Sequence, residues 1–221
     1  MRRIVTAVTI ANSPIIQLPQ LGISHFVYSE DPKPFSNIEK TRERLQYMAE
    51  RRNTAHRLAL ESFPETDTFF SIDTYYLNQA DLLVDFLGSN KGDMSGSEEL
   101  VGGSTWFRFP GVLHDYWKFW DTWTTPEAAA LRIGSRGTIN VGAVGGVAIY
   151  SRSLWERHGF GVPEPFPQGG TEFNYLCRGS TTRMSLDHKF IHPTPDHLLR
   201  RSRAKRLRIE VGKWRRKLIT R

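Results

Sequence analysis

The chain has 221 residues, 39% hydrophobic and 12% aromatic, which is enough for one full domain with a sizeable core plus a short appendage and too apolar for a disordered chain. Its single cysteine, Cys177, excludes an internal disulfide framework and a cysteine-based zinc site, and it fits a reducing compartment such as the cytosol. The net charge of +7 belongs to the C-terminus: from His197 onward there are eleven Lys and Arg against one acid, whereas the preceding 196 residues sum to −3.

In chain order, Ile4–Ala11 reads as a first buried strand, too short before Asn12 and Pro14 to be a signal peptide. Ile23–Tyr28 reads as a second strand. Asn37–Ser62 reads as a long helix with Leu45, Met48, Arg52, Ala55 and Ala59 on one face, stopped by Pro64. Thr68-Phe69-Phe70-Ser71-Ile72-Asp73-Thr74-Tyr75-Tyr76 then gives a strand buried on both faces, because its apolar residues do not alternate with polar ones. Asp73 marks its exit from the sheet. An acid there is placed either to hold a cation or a ribose, or to cap the helix predicted over Asn78–Leu87.

The strand–helix–strand–helix order predicts an α/β fold with a mostly parallel central sheet flanked by helices, and the repeat fades after that point. Lys91–Gly103 reads as a polar loop, Ser104–Phe109 as a short strand, and His114–Trp123 as a densely aromatic stretch. Five glycines fall in Gly134–Gly146, before a strand at Val147–Ser151 and a helical turn at Ser153–His158. Glu172–Cys177 reads as helical and Met184–Ile191 as a strand entering His192-Pro193. Six Trp and thirteen Phe supply either an aromatic-lined cleft or ordinary core filling. No stretch approaches the length of an apolar membrane span. No P-loop lysine and no G-x-S-x-G are present, so kinase and hydrolase readings have no support.

Four pieces between Arg42 and His192 carry a family resemblance. They are Arg44-x-x-x-Met48-x-x-x-Arg52-Asn53 on the helix; Phe69-Phe70-Ser71-Ile72-Asp73; Gly142-Ala143-Val144-Gly145-Gly146-Val147 with Arg152 after it; and Gly169-Gly170-Thr171-Glu172-Phe173 followed by Leu186-Asp187-His188 and His192. In this order they resemble the GT-A fold glycosyltransferases, nearest the subgroup of mannan-polymerase-type enzymes in which an Arg-Asn helix precedes the DxD strand. The resemblance implies a GT-A-like domain over 1–196 that moves a sugar from a nucleotide-sugar donor to a hydroxyl acceptor, whether a glycan, a lipid-linked acceptor or a modified DNA base.

It also implies roles for particular residues. Asp73 stands at the DxD position, and Thr9, Ala11, Arg52, Asn53, Asp73, Gly145 and Gly146 line the donor. Asp73 with His192 or His188 would hold Mn²⁺ or Mg²⁺, which stabilises the departing diphosphate. Glu172 corresponds to the acid near the acceptor, a general base in inverting members. The chain departs from the pattern at Tyr75, where the motif has its second Asp. Read without the resemblance, Arg52-Asn53 is a helix-end salt bridge with a C-cap, and Glu172 is a carboxylate at a helix N-terminus. The glycine run is no dinucleotide fingerprint, because a strand follows it instead of a helix.

Residues 197–221 interleave apolar and basic side chains, from Leu198-Leu199-Arg200-Arg201 to Trp214, Leu218 and Ile219. They read as a basic amphipathic tail that lies on an anionic membrane surface, contacts nucleic acid, or packs on the body by its Leu and Ile face. The corresponding location is cytoplasmic, peripheral at the inner membrane face or on nucleic acid. A non-catalytic nucleic-acid- or membrane-binding protein on a degenerate transferase scaffold is the alternative of a different class.

Overall fold

Period-two alternation along β3 (Thr68–Asp73) divides its side chains between two helices. Phe69, Ser71 and Asp73 face α1 (Arg42–Ser62): Phe69 meets His56 edge-on at 4.5 Å, and Ser71 and Asp73 both meet Arg52. Phe70 faces the opposite way and stacks on Phe86 of α2 (Ala80–Asn90) with ring centres 5.9 Å apart. Thr68 through Ile72 are all buried, as a strand covered on both faces requires.

The computed structural model describes residues 4–11, 22–29, 42–90, 99–109, 116–119, 131, 133–162, 164, 172–178 and 180–193. The other elements are β1 (Val5–Ala11), β2 (Ser24–Ser29), β4 (Glu99–Phe109), β5 (Tyr116–Phe119), β6 (Thr138–Asn140), β7 (Val147–Ser151), α3 (Arg152–His158), α4 (Phe173–Leu176) and β8 (Thr181–His192). The strands form one sheet of order β2-β1-β3-β7-β4-β8-β6, with β5 paired to β4 outside that path. α1 packs on β1 and β2, α2 on β8, and α3 on β7 and α4. Ala49, Ala55 and Ala59 are buried on α1, and their small side chains bring the helix close to the sheet.

The α/β class predicted from the sequence is the class observed. The sheet is mixed: β1 is parallel to β2 and β3, and β4 to β8, while β7 runs antiparallel to both β3 and β4, and β6 and β5 are antiparallel to their partners. Parallel pairing in the first half follows the strand–helix repeat, and after α2 the antiparallel pairs of β7, β5 and β6 enter beside the parallel pair β4–β8. β2 lies on one side of β1 and β3 on the other, so the strand order reverses between β1 and β3. Their carboxyl ends are in register there, Ile10 opposite Asp73. In open α/β sheets the crevice outside such a reversal is where ligands bind.

Two segments differ from the sequence reading. Glu99–Gly103, predicted as loop, are the first five residues of β4. Glycines argue against a strand on propensity, but here they allow close approach: a Cβ on Gly102 would lie 2.5 Å from the Val144 Cβ, and one on Gly103 only 2.2 Å from Phe190 Cε2. The stretch after Asp73 is also not strand. It is a 3₁₀ turn over Thr74–Tyr76, and α2 starts at Ala80. Asp73 flanks that turn without a side-chain capping bond, so capping is not what holds its carboxylate. The predicted helical residues 37–41, His114, Asp115, Gly169, Gly170, Thr171 and the tail 197–221 lie outside the described residues. Among the described residues no helix is long and apolar enough to cross a membrane.

Candidate active site

Arg52 stands on the face of α1 turned toward β3, 4% exposed, and its guanidinium reaches three groups. Nη2 donates to Asp73 Oδ1 at 2.6 Å, Nε to Glu172 Oε1 at 2.6 Å, and Nη1 to Ser71 Oγ at 3.4 Å. The cation also lies over Phe173, 4.6 Å from the ring centre, and 5.7 Å from that of Phe160. Burial alone would lower its pKa, but the two carboxylates outweigh burial and hold the guanidinium above its ordinary value. One cation between two carboxylates leaves the cluster with a formal charge of −1.

A second layer fixes the first. His56, one turn after Arg52, is fully buried among Phe69, Tyr150, Trp155 and Phe160. Its Nδ1 lies 2.7 Å from the Arg52 carbonyl, which only accepts, so Nδ1 carries the proton. Nε2 then accepts from the Tyr150 hydroxyl at 2.7 Å, and the Ser71 side chain lies close to that hydroxyl. Bonds run from the Arg52 carbonyl through His56 to Tyr150, whose hydroxyl sits close to Ser71, the third group that the guanidinium reaches. Burial pushes the His56 pKa down to about 3, with the carbonyl contact opposing and the Arg52 charge assisting. Burial likewise raises the Tyr150 phenol above its usual value, so it stays a neutral donor.

The expected site residues divide into three groups. Asp73, Arg52 and Glu172 converge, although they lie on a strand end, a helix and the residue before α4. Of the two carboxylates, Asp73 is the one open to solvent, its side chain 30% exposed against 8% for Glu172. Among the described residues Asp73 Oδ2 has no partner. Glu172 precedes α4 without a side-chain capping bond, because its carboxylate turns inward to Arg52.

Other expected residues support the site from behind. Asn53 Nδ2 donates to the Phe160 carbonyl, and its Oδ1 accepts from the Phe160 N–H and the Trp155 indole, so it seats Phe160 against Arg52. Thr9 is buried and its hydroxyl meets His25 on β2 at 3.1 Å. Ala11 ends β1 next to the strand-order reversal.

The two histidines separate. His192 lies beside Tyr75, with ring centres 4.9 Å apart, and within the field of Asp73. His188 is four residues earlier on β8, about 13 Å back along the strand; it meets Ser185 and Asp85 and packs edge-on against Phe86. His188 is therefore drawn to the α2 side of the sheet and does not join Asp73.

The adjacent glycines have different duties. Gly146 has φ +81°, its carbonyl accepts from the Asp73 N–H at 2.6 Å, and a Cβ there would sit 2.4 Å from the Tyr76 ring. Gly145 faces open space within 4 Å. Gly146→Ala is expected to cost about 2–4 kcal/mol by combined backbone strain and overpacking, and Gly145→Ala to stay within about 0.5 kcal/mol of the parent. Urea unfolding of the two variants side by side checks the contrast, and equal losses would contradict it.

Ser71, His56, Tyr150, Phe160 and Phe173 were not singled out in the sequence. Two signals were present for them: Ser71 interrupts a wholly apolar strand two residues before Asp73, and His56 repeats at i+4 from Arg52. A divalent cation finds a thin donor set. Of the expected ligands Asp73 and His192 lie in each other's field, Tyr75 offers no carboxylate, and among the described residues no group of three His, Cys, Asp or Glu side chains is assembled to hold a metal ion. The described residues by themselves do not make up a divalent-cation site.

No family model matches the chain, and no curated protein does. Among solved structures, the chain is similar to a crystal structure of GalNAc-T7 with UDP, GalNAc and Mn²⁺, with a TM-score of 0.42 and 13% identity. The match covers 87% of this chain and 44% of that one, so this chain spans less than half the length of that structure.

Proposed function

We propose that the protein is a nucleotide-sugar-dependent glycosyltransferase that moves a sugar to a hydroxyl acceptor. The observation that carries this reading is the Arg52–Asp73–Glu172 cluster at the carboxyl end of β3, beside the strand-order reversal between β1 and β3. The order of motifs, which resembles GT-A glycosyltransferases and their mannan-polymerase-type subgroup, supports it independently. In this reaction the acceptor oxygen bonds to the anomeric carbon, the bond from that carbon to the diphosphate oxygen breaks, and the diphosphate leaves with the electron pair. The acceptor proton passes to a carboxylate or to water.

Within that scheme Asp73 is the carboxylate that meets the substrate, and Arg52 fixes its direction. Glu172, as a base, would have only its second oxygen to offer, since the first is bonded to Arg52. Because the cluster carries −1, a diphosphate bound nearby needs positive charge from elsewhere. Asp73 and His192 would hold a divalent cation that supplies this charge once a diphosphate is bound, or basic side chains outside the described residues would supply it.

The test is thermal stabilisation by UDP and by GDP, with and without Mn²⁺. Stabilisation that strengthens with Mn²⁺ and is lost in Asp73→Asn supports the reading. No shift with either nucleotide would sink it. Retention of DNA or of anionic vesicles without any nucleotide response would favour a binding protein on a degenerate scaffold, a reading to which the Tyr75 replacement lends weight.

A further inference from the structure

Tyr75 is 47% exposed, unusual for a large ring beside a buried cluster, yet the segment that carries it is firmly held. The next residue, Tyr76, is fully buried and meets Phe190 edge-on at 5.7 Å and His192 at 6.0 Å. Gln79 brackets Ile191 at the end of β8: its Nε2 donates to the Ile191 carbonyl and its Oε1 accepts from the Ile191 N–H, both at 2.9 Å. That clamp ties the 3₁₀ turn to β8 and sets His192 against Tyr75, with Phe107 closing the other side of the imidazole edge-on at 5.2 Å. The outcome is a backed aromatic face on the turn that directly follows Asp73, against an imidazole that lies in the field of its carboxylate.

The charge of the cluster says what such a face would take. Arg52 offsets one of two carboxylates, so the exposed edge at Asp73 repels phosphate and attracts a neutral group with hydroxyl donors. An exposed aromatic ring takes an apolar face. A pyranose has both, with C–H bonds across a face and hydroxyls around its rim. A nucleobase would use the aromatic face but brings its phosphates toward the acid.

We infer that Tyr75, braced by His192, is a platform on which a pyranose ring lies, with one sugar hydroxyl donating to Asp73 Oδ2. This deepens the transferase reading and rests on it for the identity of the sugar's carrier; the ring itself belongs to either the donor or the acceptor. It also gives the replacement of the second acid at Tyr75 a positive role.

Isothermal titration calorimetry of the full chain, Tyr75→Ala and Tyr75→Phe with UDP, UDP-glucose, GDP, GDP-mannose and methyl pyranosides tests the inference. Tyr75→Ala is expected to bind a nucleotide sugar or a methyl pyranoside about tenfold more weakly, with Tyr75→Phe close to the parent. If the sugar is the donor's, the loss appears with the nucleotide sugar and not with the parent nucleotide. If it belongs to the acceptor, it appears with the methyl pyranoside alone. Tyr75-dependent pyranoside binding without any nucleotide binding upholds the platform while removing the transferase reading. Equal affinities of Tyr75→Ala and parent for every sugar ligand, an equal loss for UDP and UDP-glucose, or no sugar binding by the parent would each overturn it.

Discussion

Arg52→Met is expected to destabilise the protein by about 3–5 kcal/mol, the cost of leaving buried charge without its partner. The substitution keeps an unbranched apolar stem and removes the cation that, among the described residues, meets both Asp73 Oδ1 and Glu172 Oε1. The two carboxylates then face each other across a site in which Glu172 is 8% exposed and the rings of Phe160 and Phe173 offer no hydrogen bonds. Adding Glu172→Gln to the variant removes the more deeply buried charge, so the double variant is expected to regain at least about 1 kcal/mol. Arg52→Lys is expected to fall between, because a point charge on a flexible stem cannot reach three separated acceptors in the plane of a guanidinium. Urea unfolding measures all of these. An Arg52→Met loss below about 1 kcal/mol would mean that the cluster is much wetter than its burial implies.

The cluster also explains what the sequence made readable. Asp73 was visible because an apolar run ending on an acid is rare and because strand ends at sheet reversals collect ligands. Arg52 was placed on one face of a helix with Leu45, Met48, Ala55 and Ala59, and its role came from the resemblance to an Arg-Asn helix. The partnership between them was not visible, since it depends on the register that sets Ile10 opposite Asp73 and on how closely the alanines let α1 approach β3. Glu172 was placed by its glycine-rich approach, but its inward turn was not legible: it depends on a partner 120 residues away in sequence.

Local pattern failed in a similar way at Gly102 and Gly103, whose absent Cβ atoms read as loop and in fact make room for Val144 and Phe190. His188 and His192 look equivalent on a strand of alternating residues, both being even-numbered. Between them the pairing with β4 shifts: Ser185 opposes Gly103, and Lys189 is the next partner, opposite Ser104. Leu186, Asp187 and His188 therefore drop out of the ladder, where the His188 carbonyl accepts instead from the Ser104 hydroxyl, and the two histidines lie apart along the strand, His188 at Asp85 and Phe86 and His192 at Tyr75 and Tyr76.

The pH dependence of stability is expected to be set in large part by His56. Its pKa is 6.5 when solvated and about 3 when folded, so below pH 6.5 the unfolded chain takes up a proton that the folded chain refuses. The sign follows: the His56 contribution is complete above pH 6.5 and is lost as the pH drops toward 3, at a limiting slope of about 1.4 kcal/mol per unit. Between pH 6.5 and 4.5 that amounts to about 2–3 kcal/mol. His56→Gln removes the titration and also the fit among four aromatic rings, so at pH 7.5 it should be less stable by about 1–3 kcal/mol. On acidification the gap between variant and parent should close by about 2–3 kcal/mol. His25 and His192 are also shifted downward by burial, but both remain in the variant, so the difference between the two proteins isolates His56. A gap that stays constant from pH 7.5 to 4.5 would refute a neutral buried His56. The same residue donates to the Arg52 carbonyl and accepts from Tyr150, whose hydroxyl sits close to Ser71, the third group that the guanidinium reaches. Charging His56 would turn its Nε2 from acceptor to donor, break the bond from Tyr150 and set a second cation behind Arg52. Acid is therefore expected to loosen the hold on Asp73 together with the fold, and nucleotide or sugar binding should weaken over the pH range in which stability falls.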